Sequence, residues 1–196
     1  MGKVEPMTGV ILSGGKNTRM GENKAFLRVG DERLIDRSVR IFRNLFEEVL
    51  ISTNSPLEYL DQEATLVTDV YPEKGALGGI FSGLFFASHP RIFVAACDMP
   101  YLNIDFIRHM KDCRDDFDIV VPRTPDGLQP LHAIYSHRCL EPMRRSIERD
   151  RLKITSFYKG LRIREILPDA ISAFDPQGRM FLNVNSKKEL ALLHAE

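Results

Sequence analysis

Apolar and polar positions along the chain change their period several times. Residues 8–12 form a short continuous apolar run that stops at Ser13, Gly14 and Gly15, whereas Ile35, Val39, Phe42 and Phe46 recur at helical spacing over residues 34–46. The pattern is strand, loop, helix. It then repeats: residues 49–53 and 66–68 read as short buried strands, and residues 80–87 as an apolar helix after a glycine-rich turn at 75–79. Residues 92–97 carry Phe93, Val94, Ala95 and Ala96 in a row, the signature of a central parallel strand buried on both faces. A helix is predicted over 104–113 and a strand over 118–122. Residues 131–135 and 162–167 follow as strand segments, with helical segments over 138–149 and 153–159 between them, and this later part is expected to hold an antiparallel element. Ser186 followed by Glu189 forms a capping box for a terminal helix carrying Leu190 and Leu193.

Strands alternating with helices predict βαβ units, hence an α/β fold with a mostly parallel sheet and helices on both sides, whose ligands gather at the carboxyl ends of the strands. Residues 1–7 read as a leader outside the fold, and residues 8–196 as a single domain without repeats or linkers.

Composition narrows the function classes. The chain has 196 residues, 43% of them hydrophobic, and 27 Lys+Arg against 27 Asp+Glu. Zero formal charge removes the general basic excess of a nucleic-acid coat. No apolar run approaches the ~20 residues that cross a bilayer, and no secretory signal opens the chain. The expectation is a cytoplasmic protein without nucleic-acid or membrane partners. Cys97, Cys113 and Cys139 form no CxxC pair, so neither a disulfide framework nor a structural zinc is expected.

The chemistry concentrates after the first strand, in Leu12-Ser13-Gly14-Gly15-Lys16-Asn17-Thr18-Arg19-Met20-Gly21-Glu22-Asn23-Lys24. Paired glycines let backbone N–H groups approach an anion, and Arg19 and Lys24 add positive charge, so phosphate is the expected guest. The string matches neither a Walker A loop nor a GxGxxG fingerprint. Asp98 closes the most apolar strand and is read either as a Mg²⁺ ligand or as a turn cap before Pro100. Asp69 and Asn54 also end strands, where Asp and Asn commonly form turns. Asn183 and Asn185, two apart in an extended segment, point to one side. Residues 144–164 hold eight Lys+Arg against two acids, either an anion-attracting patch or a solvated face.

Four segments in order carry a family resemblance. LSGGxxxRMGxxK at 12–24, Gly75-Ala76-Leu77-Gly78-Gly79-Ile80, Ala96-Cys97-Asp98-Met99-Pro100 and Phe181–Leu190 together resemble the molybdenum cofactor guanylyltransferases, the MobA family of GT-A-like, Rossmann-like nucleotidyltransferases. Ala76 stands where the family has Pro, Asn23 where it often has Asp, and Ser186 and Lys187 where it has Thr and Pro. The resemblance implies transfer of GMP from GTP to the phosphate of molybdopterin, with Mg²⁺ as cofactor and transient contact with other molybdenum-cofactor proteins. It assigns catalysis to Arg19, Lys24 and Asp98, and Mg²⁺ to Asp98. GTP falls to Leu12, Ser13, Gly14, Gly15, Lys24, Asn54, Asp69, Leu77, Gly78 and Asp98, and the pterin to Arg19, Asn183 and Asn185. Three alternatives stay open: CTP as donor, a sugar or polyol phosphate as acceptor, and a regulatory nucleotide binder without turnover.

Overall fold

The computed structural model describes residues 6–14 and 23–184. Gly15, Arg19, Asn185 and the capping box at Ser186 and Glu189 lie outside the described residues. The elements run β1 Thr8–Leu12, β2 Arg28–Val29, β3 Glu32–Arg33, α1 Leu34–Arg43, β4 Glu48–Ser52, β5 Thr65–Val67, α2 Gly75–Phe86 and β6 Arg91–Ala96. They continue with α3 Ile104–Asp112, β7 Ile119–Thr124, β8 Gly127–Leu128, β9 His132–Ser136, α4 Leu140–Glu148, β10 Ile163–Ile166 and α5 Pro168–Ser172. The main sheet has the order β10-β7-β9-β6-β1-β4-β5, with β8 paired to β7.

β1 lies between β4 and β6, parallel to both, and β5 extends the parallel set beyond β4. β9 enters antiparallel between β6 and β7, which is the expected antiparallel element, while β10 returns parallel to β7. Alternation along β1 feeds two cores. Ile11 packs on one face with Ile35, Val39 and Phe42 of α1 and Phe106 and Met110 of α3. Val10 and Leu12 pack on the other with Leu77, Ile80 and Leu84 of α2 and Met143 and Ile147 of α4. Two faces covered by helices explain why the central strands read as unbroken apolar runs.

Two expectations need correction, and one open alternative gains support. Met7 belongs to the fold: it is fully buried in the first core, and its N–H donates to Glu47 Oε2 at 3.1 Å. The glycines at 75–79 are the first turn of α2 rather than a turn before it. Farther along the same helix Gly83 allows close packing, since a Cβ there would stand 2.6 Å from Val10 Cγ1. The basic patch is partly neutralised at home: Arg144 pairs with Glu141 and Glu148, Arg145 with Glu141, and Arg162 with Asp118. That supports the solvated-face reading for these arginines.

His132 is a core residue. Its ring sits 5.0 Å from Phe93, 5.8 Å from Phe106 and 5.3 Å from Phe181. Neither ring nitrogen has a hydrogen-bond partner among the described residues, and burial pulls its pKa down to about 3. It is a neutral, packed imidazole.

Candidate active site

Register places the site. Leu12 is opposite Ser52 and Ala96, and Ser52 is opposite Val67, so β1, β4, β5 and β6 end together at one edge. The residues just beyond them, Ser13–Gly14, Thr53–Asn54, Asp69 and Cys97–Asp98, therefore emerge side by side. The chain reaches β4 and β5 on one side of β1, then crosses through α2 to β6 on the other. The crevice outside strand ends at such a reversal is where α/β sheets bind ligands. The antiparallel β9 brings its beginning to the same edge, where the Leu131 carbonyl accepts from Ala96 N–H at 3.2 Å.

A cleft of about 680 Å³ opens there, lined by Leu12, Gly14, Lys24, Ser52, Thr53, Asn54, Asp69, Glu73, Gly75, Ala76, Gly79, Ala96, Cys97, Asp98, Leu131 and Asn183. Asn54 and Asp69 clamp its β4–β5 wall. Asn54 Nδ2 donates to Asp69 Oδ2 at 2.7 Å, and Asp69 N–H donates back to Asn54 Oδ1 at 3.2 Å. Each is thereby oriented by the other, which fixes a polar wall before any ligand arrives. Gly79 keeps α2 against it, because a Cβ there would stand 3.2 Å from Leu12 Cδ2 and 3.3 Å from Ser52 Oγ.

Asp98 faces this space from the end of β6. Burial pushes its carboxyl above the usual carboxylate range, and the Lys24 ammonium pulls the other way. Its carbonyl accepts the Val184 N–H at 2.9 Å, which draws the last described segment to the cleft and sets Asn183 in its lining. That segment is folded back by Asp175, whose carboxylate accepts from the Arg179 and Met180 N–H groups. Burial pushes the Cys97 thiol up to about 12, so it is no nucleophile at neutral pH.

Of the residues the sequence analysis singled out, Leu12, Gly14, Lys24, Asn54, Asp69, Asp98 and Asn183 meet in one cleft. Leu77 and Gly78 do not line it. The helical phase of α2 turns Leu77 fully into the core, and a Cβ on Gly78 would meet Lys74 Cβ and the Tyr71 carbonyl at 3.1 Å, so Gly75, Ala76 and Gly79 face the cleft instead. Ser13 is buried and its hydroxyl is engaged with Tyr59 at 2.6 Å. Sequence reasoning missed Thr53 and Leu131, each one step from a strand end and findable by that rule. It also missed Glu73, which no sequence pattern marks and which holds φ at 62°.

Residues 9–163 match the family model described as the MobA-like NTP transferase domain. The chain is 38% identical over 189 residues to the molybdenum cofactor guanylyltransferase of Desulfosudis oleivorans, covering 95% of this chain and 94% of that one. It is 32% identical to the molybdenum cofactor guanylyltransferase of Syntrophotalea carbinolica, covering 92% and 87%. Among solved structures, molybdopterin-guanine dinucleotide biosynthesis protein A from Archaeoglobus fulgidus superposes with a TM-score of 0.80 at 22% identity, covering 94% of this chain and 95% of that one.

Proposed function

Because this chain belongs to the MobA-like NTP transferase family, we propose that its cleft transfers GMP from GTP to the phosphate of molybdopterin, giving molybdopterin guanine dinucleotide and pyrophosphate. The observation that carries this reading is the meeting, at one sheet edge, of Gly14, Lys24, the Asn54–Asp69 clamp and Asp98. An acceptor phosphate oxygen attacks the α-phosphorus of GTP, the bond to the bridging oxygen of the β-phosphate breaks, and pyrophosphate leaves. The nucleophile belongs to the substrate, so the chain needs no activated Ser, Cys or His, which agrees with a neutral Cys97 thiol and a packed His132. What remains for the protein is positioning and charge.

In this reading Gly14, with Gly15, and Lys24 hold the triphosphate, while Asn54 and Asp69 hold the nucleoside beside the start of α2. The purine edge lies against Gly75, Ala76 and Gly79. Asn183, with Arg19 and Asn185, forms the pterin side.

Asp98 fits a hard divalent cation. Its carboxylate is held in a partly water-excluded cleft that disfavours the lone charge, and among the described residues no group of three His, Cys, Asp or Glu could form a complete protein cage. Mg²⁺ suits such a site because it takes one or two carboxylates and fills its other positions with substrate phosphates and water. When bound, it offsets phosphate charge. Among the described residues no helix is long and apolar enough to cross a membrane. We place the reaction in the cytoplasm, with transient contact to other molybdenum-cofactor proteins.

The test is a nucleotide panel followed by turnover. GTP with Mg²⁺ should raise Tm more than CTP, ATP or UTP, since a ligand at 100 times its Kd stabilises the fold by about 2.7 kcal/mol. Molybdopterin should then trigger pyrophosphate release. A CTP preference, or no pyrophosphate with any nucleotide, would overturn the proposal.

A further inference from the structure

Tyr59 stands outside the cleft lining and is fully buried, on the turn Pro56–Tyr59 that follows β4. The core tyrosine Tyr135 gives its hydroxyl proton to a backbone carbonyl, Pro130 at 2.7 Å, and lies 3.0 Å from the Tyr158 hydroxyl beside it. Tyr59 does something different. Its hydroxyl lies 2.6 Å from Ser13 Oγ and accepts from Asn23 Nδ2 at 2.8 Å, two side chains at the two ends of the phosphate loop.

The direction of these bonds follows from counting protons. Asn23 Oδ1 accepts the Ala25 N–H at 3.1 Å, which fixes the amide so that Nδ2 faces Tyr59 and Glu58. Nδ2 gives one hydrogen to Glu58 Oε2 and the other to the phenol oxygen. The phenol proton is buried and needs an acceptor, and Ser13 Oγ is the partner within reach. On the far side of Ser13, the Leu12 carbonyl accepts the Cys97 N–H at 3.0 Å, which sets Asp98 beside this end of the loop. The ring packs on Phe26 at 5.2 Å, in the turn Lys24–Phe26 that Asn23 caps.

We propose that Tyr59 is a positioning residue for the triphosphate, tying Ser13 to Asn23 so that Gly14 and Lys24, the residues next to them, keep their spacing from Asp98. This rests on the reading of the cleft as a GTP site. The same geometry makes Asn23 specific for an amide, because Asp at this position would set a carboxylate without a donor against Glu58 and the phenol oxygen.

The experiment is a double-mutant cycle on GTP affinity in the full chain, with Tyr59→Phe, Lys24→Ala and the pair, alongside Tm without nucleotide and KM for GTP and for the pterin. Phe keeps the ring on Phe26 and removes the hydroxyl. Tyr59→Phe should weaken GTP roughly tenfold, the effect of two lost buried hydrogen bonds, and leave KM for the pterin unchanged. Lys24→Ala should cost several-fold less in the Tyr59→Phe background than in the wild type, because the two act on the same phosphate contact. A merely structural tyrosine would lower Tm and leave the two effects additive. If Tyr59→Phe does not fold, Ser13→Ala carries the test, since it removes the partner of the phenol proton without adding a charge. Undiminished GTP affinity in whichever variant folds, or additivity, overturns the clamp. Absence of GTP binding by the wild type would instead overturn the reading of the site.

Discussion

Two carboxylates stand at opposite ends of the same parallel strands and are treated in opposite ways. Glu48 opens β4 and is saturated with donors: Thr8 Oγ1 at 2.5 Å, Ser88 N–H at 2.9 Å and Ser88 Oγ at 2.8 Å, with His89 Nδ1 3.8 Å away. Burial works to raise its pKa, but those bonds outweigh burial and hold it below the ordinary value. Asp98 follows β6. There burial prevails over the pull of Lys24, and the carboxyl stays above its ordinary value. Both ends carry a cavity, about 730 Å³ beside Glu48 and about 680 Å³ beside Asp98. Volume therefore does not separate the functional end from the structural one. What separates them is which influence wins: at Glu48 the donors outweigh burial, whereas at Asp98 burial outweighs Lys24 and a backbone hydrogen bond, and a carboxylate disfavoured in a cleft is a site that a cation can complete.

The largest effect that could break this contrast is expected from Asp98→Asn. Pyrophosphate release should fall by about 10²- to 10³-fold, the scale for losing one electrostatic contact to the reacting phosphates. Nucleotide-free Tm should stay level or rise. The sign follows from linkage: with its pKa raised in the folded state, Asp98 costs stability increasingly as pH rises from the ordinary 3.8 through the folded value, and the amide removes that cost. Retained turnover, or a lower Tm, would put Asp98 in the same class as Glu48.

Glu48→Gln should do the converse. The amide turns an NH₂ toward hydroxyl or backbone donors, so stability should drop by about 1–3 kcal/mol while turnover per folded molecule is unchanged. The contribution Glu48 makes is present above the ordinary value of 4.5 and is lost as pH falls through its lower folded value. Acid titration of the wild type and the variant by Tm should therefore converge at low pH. Curves that remain parallel would show that the charge at Glu48 is not what the donors hold.

The sheet was legible because its central strands are apolar on both faces, and the predicted ends of β1, β4, β5 and β6 fall within one residue of the observed ones. Knowing where strands end was enough to gather Gly14, Asn54, Asp69 and Asp98. α2 was half-legible: residues 80–87 read as helix but Gly75, Gly78 and Gly79 as a turn before it, whereas in the fold Gly79 is helical and, with Gly83, lets the helix lie close on β1 and β4. The hairpin of β2 and β3 escaped because two-residue strands have no periodicity to detect. Tyr59 escaped for another reason. Its partners Asn23 and Ser13 lie 36 and 46 residues away, and nothing local distinguishes a clamp from a packed ring. The mutual bonding of Asn54 and Asp69 was likewise invisible, since each alone looks like a turn residue.

The smallest effect sharpens the contrast through backbone rather than charge. Glu73 lines the cleft with φ at 62°, a conformation that costs a residue with a Cβ about 1–2 kcal/mol. Glycine adopts it freely but loses more conformational freedom on folding, about 0.5–1 kcal/mol, so Glu73→Gly should be net stabilising by about 0.5–1 kcal/mol. In a chain of this length that is about 1–4 °C in Tm. Because the change also removes a negative charge from a cleft assigned to a triphosphate, GTP affinity should hold or rise. A higher Tm with GTP binding intact would show that the cleft end tolerates backbone cost as it tolerates the buried carboxyl of Asp98. A lower Tm would mean that the Glu73 side chain contributes contacts worth more than the strain, and that the tolerance at this end is confined to Asp98.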